Sequence, residues 1–256
     1  MRRILCITAF VAMCACSVKE NRSGCPCELL VKPSAPLETD GRVLISVMQG
    51  GNVVKQGMLD KDDFEKGKCR LLVPRGPASV TVFTGITSMN TLQGRRLDIR
   101  YENSCDEVYS SSEEAYLQTD TCVCSVDMHK NYANLYLTVL GRPEGATMSV
   151  YGTVRGYEVS DAVPYLGAFN SAPEPRGGNL YHTRLPRQLD DGLLLYVSYG
   201  ETVMRKVPIG KLIDTSGYRF DDENLMDISL TVDLDKSYAF IEVAPWREEQ
   251  YTQIEF

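Results

Sequence analysis

The chain has 256 residues, 34 acidic against 27 basic side chains, and a formal net charge of −7. That balance argues against a nucleic-acid surface, which needs clustered Lys and Arg. With 43% hydrophobic residues and only one apolar run, at the N-terminus, it reads as a globular chain with one targeting segment and no transmembrane span.

That run comes first. Arg2 and Arg3 precede Ile4–Ala15, whose twelve residues would make a helix of about 18 Å, against the roughly 30 Å of a bilayer core. This is a signal-peptide pattern. It ends Met13-Cys14-Ala15-Cys16, with small residues before a cysteine, as in a bacterial lipoprotein box. Residues 1–15 are therefore expected to be a lipoprotein signal peptide, and Cys16 the site of lipidation, its sulfur carrying diacylglycerol. Two or three acyl chains hold a protein on a membrane stably. Loss of Arg2 and Arg3 takes the net charge from −7 to −9. Residues 16–24 read as a lipidated tether.

Six cysteines follow: Cys25, Cys27, Cys69, Cys105, Cys122 and Cys124. An even count in an exported chain reads as disulfides. The two C-x-C pairs invite antiparallel strands with cross-strand bridges, one of 15 connectivities that sequence leaves open. A four-thiolate zinc site is the rival; it favours C-x₂-C spacing and a reducing compartment.

Downstream the pattern is β. Residues 42–59 read strand, Gly50-Gly51-Asn52 turn, strand. Asp60 to Gly67 fits one helical turn. Residues 69–86 give two strands about a Pro74–Pro77 turn, and 116–127 and 132–140 two more. Residues 100–117 look less ordered. "GRPEGAT", 141–147, reads as an interdomain link. Beyond it lie further β-like segments, an exposed Pro/Gly loop at 171–179 and a short helix ended by Gly217. The expected architecture is all-β: two tandem sandwiches with Greek-key-type strands and little helix, over residues 25–140 and 141–256.

No catalytic constellation emerges. His129 and His182 are not in metal spacing, and neither G-x-S-x-G nor a phosphate loop occurs. Asp60, Asp62 and Asp63 fail the EF-hand pattern at Phe64 and Glu65. Asp221, Asp222 and Glu223 read as a solvated turn. No enzyme activity, cofactor or metal is expected.

Four stretches carry a family resemblance: the lipobox followed by "CPCELLV", "LLVPRGPASVTVFTGI", "FDDENLMDISLTVDL" (220–234), and "FIEVAPW" ending on Trp246. Together the chain resembles the FimB-type fimbrial anchor and accessory subunits of Bacteroidia, which are related to fimbrillins. The resemblance implies transthyretin-like sandwiches and subunits joined by β-strand exchange. It implies fimbrial stalk or accessory subunits as partners, and an outer-membrane location through lipid on Cys16. The ten residues after Trp246 are short for a donor strand, and Glu28–Val31 is the candidate edge beside an acceptor groove. The alternative is a surface glycan-binding lipoprotein of an uptake system, with Tyr101, Tyr109 and Tyr116 as its aromatic face.

Overall fold

The computed structural model describes residues 24–236, 238–243 and 251–255. Cys16, the lipobox and Trp246 lie outside the described residues. Within them the chain forms twenty strands and two short helices.

The first sandwich has a three-stranded sheet in which β1 (Cys27–Pro33) lies between β4 (Arg70–Val73) and β9 (Thr121–Val126). Its second sheet has five strands in the order β10 (His129–Lys130), β8 (Tyr109–Leu117), β5 (Gly76–Ile86), β2 (Arg42–Gln49) and β3 (Asn52–Asp60). Alternate residues of both sheets point inward, and Leu29, Val31, Val43, Val47, Val80, Val82 and Leu117 are wholly buried between them. Helix α1 (Lys61–Glu65) closes one end by inserting Phe64 into this core. The β2–β3 turn runs through Gly50 and Gly51 at φ +55° and +78°, the left-handed geometry that a tight hairpin requires and a Cβ resists.

The second sandwich packs two six-stranded sheets. One runs β14 (Glu174–Gly177), β15 (Leu180–Pro186), β11 (Tyr132–Leu140), β18 (Ile228–Asp233), β19 (Tyr238–Val243), β20 (Tyr251–Glu255). The other runs β17 (Thr202–Val207), β16 (Leu194–Tyr199), β12 (Thr147–Glu158), β7 (Arg96–Ile99), β6 (Asn90–Gln93), with β13 (Pro164–Ser171) also on β12. Helix α2 (Ile209–Thr215) caps the core with Ile209, Leu212 and Ile213.

The all-β reading holds, with differences in detail. Strand β11 belongs to the second sandwich, because Ala133, Leu135, Leu137 and Val139 bury into its core and β11 pairs with β15 and β18. The link at 141–147 is thus a connection inside that sandwich, and the chain passes from the first sheet system to the second between β10 and β11, not at 140/141. The hairpin β6–β7 makes an earlier excursion into the second sandwich. The stretch 100–117, expected to be less ordered, contains β8, and the strand expected over 116–127 is broken by the turn at 118–120. Part of the loop expected at 171–179 forms the exposed edge strand β14.

The two sandwiches share a third apolar cluster of Leu44, Phe83, Ile86, Leu97, Val108, Tyr157 and Val159. Tyr157 is fully buried there, 6.1 Å from the Phe83 ring centroid. Its hydroxyl donates to the Asn131 carbonyl at 2.6 Å and accepts from the Arg187 amide at 3.1 Å, so the buried phenolic oxygen is satisfied as both donor and acceptor. The Asp106 carboxylate accepts from the Thr87 and Asn90 amides at 2.8 and 2.9 Å, tying the start of the β6–β7 excursion to the segment that returns from it ahead of β8.

Candidate functional site

Sheet edges carry unpaired backbone groups and are where a β protein can add a strand. Two edges of the first sandwich face each other. Strand β8 pairs with β5 along its length, but β10 covers its other side only at Tyr109 and Ser110. Strand β9 pairs with β1 on one side and ends the three-stranded sheet on the other.

Backbone alternation shows which groups are free. Glu28 N–H donates to Asp120 C=O at 2.8 Å, and Ser34 N–H to Val126 C=O at 2.8 Å. Residues of that parity in β9 thus turn toward β1, and the backbone groups of Thr121, Val123 and Ser125 turn away from it. On β8, Val108 C=O accepts from Asn131 N–H at 2.9 Å on the β10 side, so Ser112, Glu114 and Tyr116 direct their backbone groups to the same uncovered side. Between the two edges lies a cavity of about 400 Å³, walled by Glu113 to Leu117 and by Cys122 to Ser125, with Leu29 at its floor. Leu29 is 0% exposed, so the cavity reaches core side chains. Glu113 and Glu114 make its β8 wall acidic.

Two expectations about this region change. Strand β1 is the centre of its sheet, so the edge beside the groove is β9. The ladder joining the two C-x-C segments is parallel, with Leu29 opposite Cys122 and Val31 opposite Cys124, and an antiparallel double bridge does not fit it. All six of Cys25, Cys27, Cys69, Cys105, Cys122 and Cys124 carry free thiols here. Cys105 lies alone in the core of the second sandwich, and burial pushes its thiol far above the ordinary range. Burial also raises the thiols of Cys69 and Cys124 to about 11.

Tyr101, Tyr109 and Tyr116 do not share a face. Tyr116 is exposed at one end of β8, whereas Tyr109 lies at the other end and packs edge-on against Tyr132 at 5.8 Å. Seven residues along a strand span about 23 Å and reverse the side-chain direction. Tyr101, also exposed, lies beyond β7, next to a bridge between Glu102 and Ser171 of the second sandwich. The acidic clusters are likewise engaged. Lys66 lies 3.2 Å from Asp62, Lys68 lies 2.7 Å from Asp63, and Arg219 lies 2.6 Å from Asp221. Among the described residues no group of His, Cys, Asp and Glu is arranged to hold a metal ion. His129 lies in β10, 3.5 Å from Glu223. His182 is a sheet-face residue between Asn134 Oδ1 at 2.9 Å and Arg176 at 3.1 Å, stacked on Tyr136.

The sequence reading missed Arg187. Its guanidinium donates to Asn131 Oδ1 at 2.7 Å and to the carbonyls of Phe220 and Asp222 at 2.6 Å each. A further bond reaches Glu223 C=O at 3.1 Å. This cage folds residues 219–226 back onto the junction. Apart from Asn131 Oδ1 it is held by backbone oxygens, which leave no residue-type signature.

No family model matches the chain, and no curated protein does. Solved structures do. A candidate polysaccharide-binding protein from Bacteroides thetaiotaomicron superposes with TM-score 0.64 at 10% identity, over 90% of this chain and 98% of that one. The fimbrial anchor protein Mfa2 from Porphyromonas gingivalis superposes with TM-score 0.62 at 12% identity, over 81% and 91%. A candidate adhesin from Bacteroides ovatus gives 0.60 at 11%, over 92% and 97%. The chain therefore has the two-sandwich fold found among Bacteroidales fimbrial and adhesin-type structures.

Proposed function

We propose that the chain is an anchor or accessory subunit of a fimbria, held at the outer membrane by lipid on Cys16 and joined to the fibre by a strand that enters the seam between β8 and β9. The observation that carries this reading is the seam itself: two edges, one from each sheet and largely unpaired among the described residues, flank a cavity with a core leucine at its floor. A donor strand there gains backbone hydrogen bonds on both sides and buries alternate side chains against Leu29, Ala115 and Cys124. The likeness to Mfa2 supports the fimbrial setting. The chain's own last described strand, β20, pairs with β19 in the second sandwich, which fits a subunit that receives a strand. Small apolar residues suit the donor's inward positions, and Lys or Arg its outward positions beside Glu113 and Glu114.

The test is capture from native outer membrane with the full chain and with Val123→Pro. Proline removes an amide that points into the seam and leaves the β1–β9 ladder intact. Boiling-resistant complexes with other fimbrial chains, lost in Val123→Pro and kept in Val123→Ala, are expected. Capture of a barrel transporter instead, or equal capture by the proline variant, overturns the reading. Cys16→Ala is expected to leave the membrane fraction; its retention there overturns the lipid anchor.

A further inference from the structure

The seam edge carries Cys122, and Cys27 lies on the adjacent strand, facing the same core. Arg75 brings the two segments together. Its Nε donates to the Cys25 carbonyl at 3.0 Å, its Nη1 to Gln118 C=O at 2.7 Å, and its Nη2 pairs with the Asp120 carboxylate. The start of β1 is thereby held against the turn from which β9 begins. Cys27 is fully buried, Cys122 is partly exposed, and each thiol lies within hydrogen-bonding reach of the other.

The other thiols are placed differently. Cys69 and Cys124 flank Val31 on opposite sides: Val31 N–H donates to Cys69 C=O at 3.1 Å, and Val31 is in register with Cys124. Two strand spacings, about 9–10 Å, separate them, beyond the Cα distance a disulfide spans. Cys105 is in the other sandwich. Cys25 is exposed ahead of β1.

We infer that Cys27 and Cys122 form a disulfide in the exported protein, cross-linking the strand that follows the tether to the strand that edges the seam. This rests on the proposed anchoring and strand uptake for its purpose, though not for its chemistry. Tension arriving through the tether enters the fold at β1, and tension from a partner arrives at β9. The bond joins those points directly, so the load bypasses the β1–β9 hydrogen bonds. Thr119 Oγ1 lies 3.2 Å from Cys122 Sγ, and that hydroxyl lowers the thiol's proton affinity, making Cys122 the attacking group. The Cys122 thiolate attacks a disulfide oxidant, such as an exported dithiol oxidase or glutathione disulfide, and releases one thiolate. Cys27 then gives up its proton and displaces the second, so two thiols are oxidised and the oxidant's disulfide is reduced.

The experiment uses the reduced, purified full chain treated with glutathione disulfide, then alkylated in denaturant without reduction and mapped by mass spectrometry. The expected result is a Cys27–Cys122 linked peptide, with Cys25, Cys69, Cys105 and Cys124 alkylated. Cys122→Ser, at the more exposed position, should leave Cys27 alkylated, and Cys27→Ser should leave Cys122 alkylated. Alkylation of all six, or a Cys25–Cys122 link, overturns the inference. The map is read without any partner, so it stands or falls separately from capture by the seam.

Discussion

The first sandwich ends its two sheets at β9 and, over most of its length, at β8, and the space between those edges is open down to Leu29. The second sandwich sets six strands against six, and its central strands β11 and β18 are paired on both sides. Both bury ample apolar surface, so the difference is not one of core size. The second sandwich ends its sheets at β14 and β20 and at β17 and β6, whereas two edges of the first, β8 and β9, face a shared cavity. Strand addition needs such an unfinished edge.

Removing core volume from each sandwich should expose that difference most strongly. Leu137 on β11 is fully buried and walled by β15 and β18, so Leu137→Ala is expected to cost about 4 kcal/mol. Leu29 is equally buried but lies at the floor of the seam, where the freed space merges with an existing cavity, so Leu29→Ala is expected to cost about 2 kcal/mol. Urea unfolding of the two variants checks this; equal losses would mean that the seam is not a relaxed region of the core.

Next in size is Arg187→Ala, which strands several backbone carbonyls around residues 219–226 and should cost about 3 kcal/mol. The loss should appear as exposure of residues 219–226 in hydrogen exchange while β8 and β9 keep their protection. Uniform loss of protection would show that the cage stabilises both sandwiches alike.

Val123→Pro is expected to change the stability of the isolated chain by less than about 1 kcal/mol, because the amide it removes faces the seam. In a doubly paired strand a proline also removes a ladder hydrogen bond. A loss well above about 1 kcal/mol in Val123→Pro would show that the β9 edge is already covered.

These contrasts also explain what was legible in the sequence. The hairpin at Gly50-Gly51, the helix ended by Gly217 and the alternation of β11 carry local signals, and the structure has all three elements. The allocation of strands to sandwiches was not legible, since β11 and the β6–β7 hairpin reach their partners through long-range pairing. Strand β8 escaped because Ser110, Ser111, Ser112, Glu113 and Glu114 look like a loop; its polar residues are what a strand beside an open seam needs at its edge. The parallel sense of the β1–β9 pair leaves no trace in C-x-C spacing, which is why the thiols were legible as a group and their arrangement was not.

The smallest expected effect belongs to the second sandwich and depends on pH. His182 lies on the sheet face with 8% exposure, and burial, followed by the nearby Arg176 and Arg184 charges, lowers its proton affinity below the ordinary value of 6.5. In the unfolded chain the imidazole takes a proton as pH falls through about 6.5, while in the folded chain it stays neutral to lower pH. The unfolded state then binds more protons, so stability is full above that value and declines as pH falls toward the folded-state value. His182→Gln keeps a polar group within reach of Asn134 and removes the titration, so its unfolding free energy should be flatter between pH 7.5 and 5.5 than that of the parent chain. Parallel curves would assign any sensitivity in that range to groups other than His182; Asp227, which shares Asn134 with His182, acts lower on the pH axis. Its carboxylate is half-buried, which opposes ionisation, yet bonds from Lys130 at 2.6 Å and Asn134 at 2.9 and 3.0 Å outweigh that and hold it below the ordinary carboxylate range. Stability from Asp227 is lost only as pH falls below about 4, so the two groups separate cleanly along the pH axis.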